Sequence, residues 1–264
     1  MTSQHRPFPF FPLLALLLLA PWASQSAAQE ITYDSWAKVL ERFVDPEGLV
    51  DYQGLRQDRR SLDEFLALVK KVSPQQRPEL FASRQEELAF YLNAYNALIF
   101  DQVLALPEGT TTVWGKSGSG LRFFVRQKVT VGGEALSLKK LEDEWIREAY
   151  QDPRVHAALN CASLGCPRLP RKPFLGGELE RQLDEAMAEF VSDSKNVRLE
   201  GDTVYLSKIF DWFESDFLQE ERARSGQEAT LLDYVRRYRR TEPPLPAEAK
   251  IRFLDYDKAL NRQP

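Results

Sequence analysis

The stretch from Leu88 to Leu106 constrains this chain more than any other. From Leu88 to Phe100 apolar side chains fall on nearly every side of a helical projection. A helix of that kind has no face to give to water, so the rest of the fold must surround it. Ser83-Arg-Gln-Glu86 precedes it and reads as a capping box, each side chain answering the other's orphan backbone N–H. Asn93 and Asn96 then stand out, three apart and so on adjoining positions of one face. An unpaired buried amide costs roughly 1–3 kcal/mol, so both need partners. They either bond nearby loop backbone and hold the fold together, or line a site.

The remaining segments read as elements packed around that helix. Trp36, Val39, Leu40 and Phe43 recur at helical spacing until Asp45-Pro46-Glu47-Gly48 ends the pattern. Ser61 and Glu64 suggest another capping box, opening a helix over 62–72. Pro107–Gly120 is long for a connection, and its Trp114 either covers a ligand or plugs the core. Phe123–Val131 alternates toward Val129 and Val131, Gly132-Gly133 supplies a turn that needs positive φ, and Glu134–Leu136 returns, a hairpin signal. Ser137 caps a helix with Leu138, Leu141, Trp145, Ile146 and Ala149 on its core face. Leu179, Leu183, Met187 and Phe190 mark a helix, and Val197–Leu199 with Val204–Leu206 mark a second hairpin. Ile209, Phe210, Phe213 and Phe217 give a short aromatic helix, and 218–229 is charged enough to be solvated. Thr230 and Asp233 cap a last helix rich in arginine, and Ile251–Tyr256 reads as a final strand. The expected fold is α+β: a mostly helical single domain over 29–264, with two small β-hairpins and a C-terminal strand around a central buried helix.

Residues 1–28 have the features of a secretory signal: Arg6, an apolar run from Leu13 to Ala20, and small residues Ser26-Ala27-Ala28 at a cleavage point. A periplasmic or secreted location is therefore expected, with no transmembrane segment once the leader is removed. The full chain carries a formal charge of −4. An acidic balance of this kind recruits no nucleic acid.

The scarce chemistry lies in Asp152–Pro167, which holds His156 and both cysteines, Cys161 and Cys166. The other histidine, His5, belongs to the leader, so any imidazole mechanism must use His156. Val155–Asn160 fits either a helix opened by Asp152-Pro153 or a buried strand; in both, residues four apart share a face, so His156 and Asn160 should point the same way. Three readings of the cysteines compete. In an oxidising compartment Cys161 and Cys166 form a disulfide. Alternatively a free Cys161 or Cys166 is a nucleophile and His156 its base. The third, a metal site, lacks paired ligand spacing. No metal or other cofactor is expected, since phosphate-loop, dinucleotide and Gly-x-Ser-x-Gly patterns are also missing.

Five motifs together resemble a known family. They are Glu87–Leu98, Val131–Glu142, Asp152–Pro167, Leu206–Phe217 and Leu254–Asn261. In this order they are similar to the family catalogued as domain of unknown function 547, over a core of residues 85–261. The resemblance implies little about activity. It places Asn93, Tyr95, Asn96, His156, Asn160, Cys161, Cys166 and Pro167 at recurring motif positions, and Lys258 where the family pattern has an aromatic residue.

The expected function is a soluble secreted or periplasmic domain that binds an unknown small molecule or peptide. Its site would be lined by Asn93, Asn96, His156 and Asn160, with Cys161–Cys166 as a structural disulfide. Two alternatives are a papain-like cysteine hydrolase or acyl transferase with catalytic His156 and Cys161, and a structural envelope protein in which the Asn/His network supports the core. The two asparagines of the central helix and His156 are expected in one polar cluster.

Overall fold

A computed structural model describes residues 1–2, 31–115, 118–246 and 248–264. The segment read as a leader, apart from its first two residues, and Lys116 lie outside the described residues. Within Ile31–Pro264 the chain is a mostly helical α+β unit with two small sheets.

The organising element is α4, Arg84–Leu104, in which every residue from Leu88 to Phe100 is buried. Its 21 residues span about 30 Å at 1.5 Å per residue. That length needs several partners. Ser83 caps it by accepting from Glu86 N–H, but the Glu86 carboxylate reaches back to Ala82 N–H rather than to the cap's own N–H. Around α4 lie α1 (Asp34–Phe43), α2 (Tyr52–Gln57) and α3 (Arg60–Lys71), whose buried stripes include Trp36, Leu40, Leu55, Leu62 and Phe65. The α3 helix starts before Ser61, with Arg59 at the cap, so the Ser61–Glu64 box does not form. Ser61 already lies inside the first turn.

The first hairpin is shorter than its alternation suggests. Leu121–Arg126 is a wide helical turn, and only β1 (Val129–Val131) pairs with β2 (Glu134–Leu136). Gly132 and Gly133 turn it at φ +57° and +83°, which side chains resist. Ser137 then caps α5 (Leu138–Lys140), which widens into a π-helical segment over Leu141–Glu148. Its core face carries Leu138, Leu141, Trp145 and Ile146, while Ala149 is exposed.

The second half of the fold has its own apolar cluster, built on α6 (Leu179–Ser192), α7 (Lys208–Trp212), α8 (Glu214–Ser225) and α9 (Leu231–Tyr238). The expected aromatic helix is thus two helices. Helix α8 runs on to Ser225 and buries Phe217 and Glu221, so part of the stretch read as solvated belongs to the core. The hairpin β3 (Val197–Glu200) with β4 (Thr203–Leu206) is extended by β5 (Lys250–Phe253), which lies parallel to β4. The final strand is therefore not separate. A parallel neighbour requires a crossover, and α7–α9 form it.

Pro153–Ala157 is a short 3₁₀ helix at the seam between the two clusters. Asp152 caps it by accepting from Arg154 N–H, with Pro153 in the first turn. Val155, Ala158 and Leu159 belong to the cluster around α4, and Ala157 to the other. Among the described residues no helix is long and apolar enough to cross a membrane.

Candidate functional site

The four residues expected to line one site separate into different surroundings. Asn93 faces the loop before α6, donating to Phe174 O at 2.8 Å and accepting from Phe174 N at 3.0 Å. Asn96 donates to Ala158 O at 3.0 Å and accepts from Asn160 N at 2.9 Å. Asn160 in turn donates to Pro167 O, and its side-chain oxygen accepts from Ala162 N and from the Asn261 amide. Each asparagine is thus held on loop backbone. Asn96 and Asn160 share one network, Asn93 makes a second, and His156 belongs to neither.

The regular element ends at Ala157, so the rule that residues four apart share a face does not reach Asn160. His156 turns instead toward α8. Its ring stacks on Phe213 at 4.1 Å between centroids and 21° between planes, with Phe217 at 5.3 Å. Nε2 lies 2.8 Å from Asp216 Oδ2. Asp216 also takes Arg147, which is shared with Asp143, and Asp143 pairs with Lys139. A row of alternating charge therefore runs from Lys139 to the imidazole.

Burial pushes the His156 pKa down, with Asp216 opposing only in part, so the ring is neutral near pH 7. Burial works to raise the Asp216 carboxyl, but His156 and Arg147 outweigh it and hold it below the usual carboxylate range. With His156 neutral, Arg147 is the lasting cation on Asp216, and an ionised Asp216 can only accept. Nε2 must then carry the proton, leaving Nδ1 an unprotonated acceptor.

His156 lines a cavity of about 270 Å³. Trp114, Phe124, Trp212, Phe213 and Tyr256 form its aromatic walls, and Tyr95, Lys139, Glu142 and the two cysteines complete its polar side. Trp114, Trp212 and Tyr256 pack on one another with centroids 4.8–6.0 Å apart. Trp114 is anchored through its indole N–H to Ser163 Oγ at 2.8 Å, and Lys258 Nζ sits 5.2 Å from its ring centre. It is a wall of the cavity rather than a plug. Trp212, 42% exposed, stands at the rim. Glu142 accepts from the Tyr95 hydroxyl at 2.9 Å, and burial raises its pKa above the ordinary carboxylate value.

The sulfurs of Cys161 and Cys166 are at disulfide distance, 2.29 Å. Their further polar neighbour is the Tyr256 hydroxyl, 2.9 Å from Cys161 Sγ and 3.1 Å from Cys166 Sγ. The sulfur pairing agrees with the disulfide reading, and the alternative His156–Cys161 dyad is not formed; the partner of His156 is a carboxylate. Among the described residues no group of three or more His, Cys, Asp and Glu is arranged to hold a metal.

Sequence reasoning passed over Glu142, Asp216, Tyr256 and Trp212. A signal was nevertheless available. Tyr95, Glu142, His156, the cysteines, Trp212 and Tyr256 each fall in a different one of the five motifs or share one with a neighbour on this wall, so the motifs mark a single place in space. Residues 80–191 match the model of the family described as "Protein of unknown function, DUF547", which supports the resemblance drawn from the motifs. No curated protein and no solved structure matches.

Proposed function

We propose that this chain works outside the cytoplasm as a ligand-binding protein, whose cavity takes a small molecule or a peptide side chain with an aromatic or apolar body and a polar end. The observation that carries this reading is the cavity at the seam of the two apolar clusters. Its walls are rings, and its polar groups converge from separate elements: Glu142 on Tyr95, and His156 on Asp216. Sites that bind small molecules combine an apolar lining with a few fixed polar groups, and displaced pKa values at a cavity favour a functional role over a purely supporting one. The leader-like residues 1–28 and a cysteine pair of the kind that persists in oxidising compartments support the location.

Binding is favoured over the papain-like alternative by one contact. A thiol hydrolase needs a free thiolate beside the imidazole, whereas the sulfurs here are joined to each other and touch Tyr256. The envelope-protein alternative needs no cavity at all. Trp114 and Trp212 make the test direct, because a ligand in the cavity they line changes their fluorescence. Indole, tryptamine and indole-3-acetate serve as probes with neutral, cationic and anionic ends. At least one should bind, and His156→Gln and Trp212→Ala should each weaken it; binding that is indifferent to both changes would sink the assignment.

A further inference from the structure

We infer that the Cys161–Cys166 pair is an exchangeable disulfide, opened by a thiol that enters the cavity, rather than a fixed staple of the loop. Three observations support this. First, both cysteines line the cavity, and Cys161 is half-buried while Cys166 is only 2% exposed. An incoming thiolate therefore meets Cys161 first.

Second, the less accessible sulfur is prepared to leave. Cys166 Sγ accepts from Cys161 N–H at 3.0 Å and has the Tyr256 hydroxyl at 3.1 Å. Joined cysteines carry no thiol proton, so Tyr256 must be the donor in these contacts. Burial raises its pKa and keeps that proton in place. In the closed bridge the single Tyr256 proton is shared between the sulfurs, with Cys161 Sγ the nearer at 2.9 Å. Once Cys166 Sγ carries the charge that proton turns to it, joins Cys161 N–H in stabilising the leaving thiolate, and so speeds its departure.

Third, the loop is held without the bridge. Asn160 braces Pro167 O and Ala162 N, Leu164 N donates to Ala259 O, Gly165 N donates to Asp257 O, and Cys166 N donates to Ser163 O. Between the cysteines Ala162 sits at φ +61° while wholly buried, an unfavourable conformation for a residue with a Cβ. Such positions collect where geometry is held for function.

The chemistry needs a dithiol as co-reactant. One thiolate attacks Cys161 Sγ; a new S–S bond forms there as the Cys161–Cys166 bond breaks, and the electron pair leaves on Cys166 Sγ. The second thiolate of the reagent then attacks its own sulfur in the mixed disulfide, closing a cyclic disulfide and releasing Cys161 as thiolate. Two electrons pass from the dithiol to the protein, and the reagent's two protons end on the cysteines or in solvent. The inference stands apart from ligand binding, because thiol counts read it with no ligand present.

The test treats the folded full chain with dithiothreitol, quenches in acid and labels thiols with a heavy maleimide, while near-ultraviolet circular dichroism follows the fold. Two thiols should appear with the native spectrum retained. With Cys166→Ser, glutathione disulfide should load Cys161, and with Cys161→Ser the remaining Cys166 should react at least about tenfold more slowly. Tyr256→Phe should slow opening of the bridge by about tenfold, the size expected for losing one hydrogen bond to a developing charge. Opening only where the protein unfolds, faster loading of Cys166 than of Cys161, or a wild-type rate in Tyr256→Phe would each overturn the inference.

Discussion

Two buried polar clusters lie within reach of the same short segment, and they are made of different chemistry. One is built of amides: Asn96, Asn160 and Asn261, with backbone at Ala158, Ala162 and Pro167. The other is built of titratable groups, His156, Asp216, Arg147 and Glu142, of which His156 and Glu142 line a cavity while Asp216 and Arg147 stand behind the imidazole. The amide cluster leaves little unsatisfied, since each of these side chains bonds protein on both of its ends. The titratable cluster holds a neutral imidazole beside an ionised carboxylate, with an acceptor nitrogen to spare. Burial alone therefore does not mark a site; what separates the two is whether the polar groups have spent their bonding capacity on the fold.

The contrast is broken most severely by Asn96→Ala. That change strands the N–H of Asn160 and the carbonyl of Ala158, and we expect a loss of about 3 kcal/mol in urea unfolding, since each buried unsatisfied group costs roughly 1–3 kcal/mol. Affinity of the folded fraction for an indole probe should hold. Asp216→Asn comes next, at roughly 2 kcal/mol, because it removes the negative charge that holds Arg147 and leaves one neutral oxygen where His156 and Arg147 now share two, in a partly buried setting. Here probe binding should fall with stability, as the imidazole loses its tautomer.

His156→Gln should cost only about 1 kcal/mol, since glutamine can still donate to Asp216, yet weaken the probe about tenfold. It also sharpens the comparison through pH. The folded-state pKa of His156 lies below its ordinary 6.5, so the unfolded chain takes up the proton first as acid is added. Its contribution is complete above pH 6.5 and is lost as pH falls toward the lowered value. Unfolding curves of His156→Gln should lack that acid limb. Glu142→Gln has the opposite sign and the smallest size. The raised carboxyl favours the fold below its ordinary 4.5 and loses that contribution as pH rises through the folded value. We expect this variant to be about 1 kcal/mol more stable than wild type at pH 8, the scale of relieving one poorly solvated buried group, and equal to it at acid pH.

Local pattern explains what was legible. The all-round apolarity of α4, the Gly132-Gly133 turn, the Ser137 cap and the Thr230–Asp233 box, where each side chain answers the other's N–H, all depend on neighbours a few residues away. Asn93 and Asn96 need partners in so apolar a helix, and those partners are loop backbone. What periodicity missed depends on distant pairings. Asp216 is 60 residues from His156, and Tyr256 is 95 from Cys161; no spacing rule connects them. The face shared by His156 and Asn160 failed for a narrower reason, since a 3₁₀ turn that stops at Ala157 has no period to extend. Phe123 was drawn into a strand by alternation that the wide turn over Leu121–Arg126 also satisfies.

The chain's final residues sew early segments together. Val50 N donates to Asn261 O, Gln263 N to Val50 O and Leu260 N to Thr111 O, while Tyr52 reaches Asn261 across 209 positions of sequence. Such pairings close very long loops, and loop entropy delays them until nearer contacts have formed. The segment around residue 50 must therefore wait, incompletely bonded, while more than 200 residues are synthesised. Order at the start of the fold arrives with its end, and refolding should show the Tyr52 environment maturing in the slowest kinetic phase.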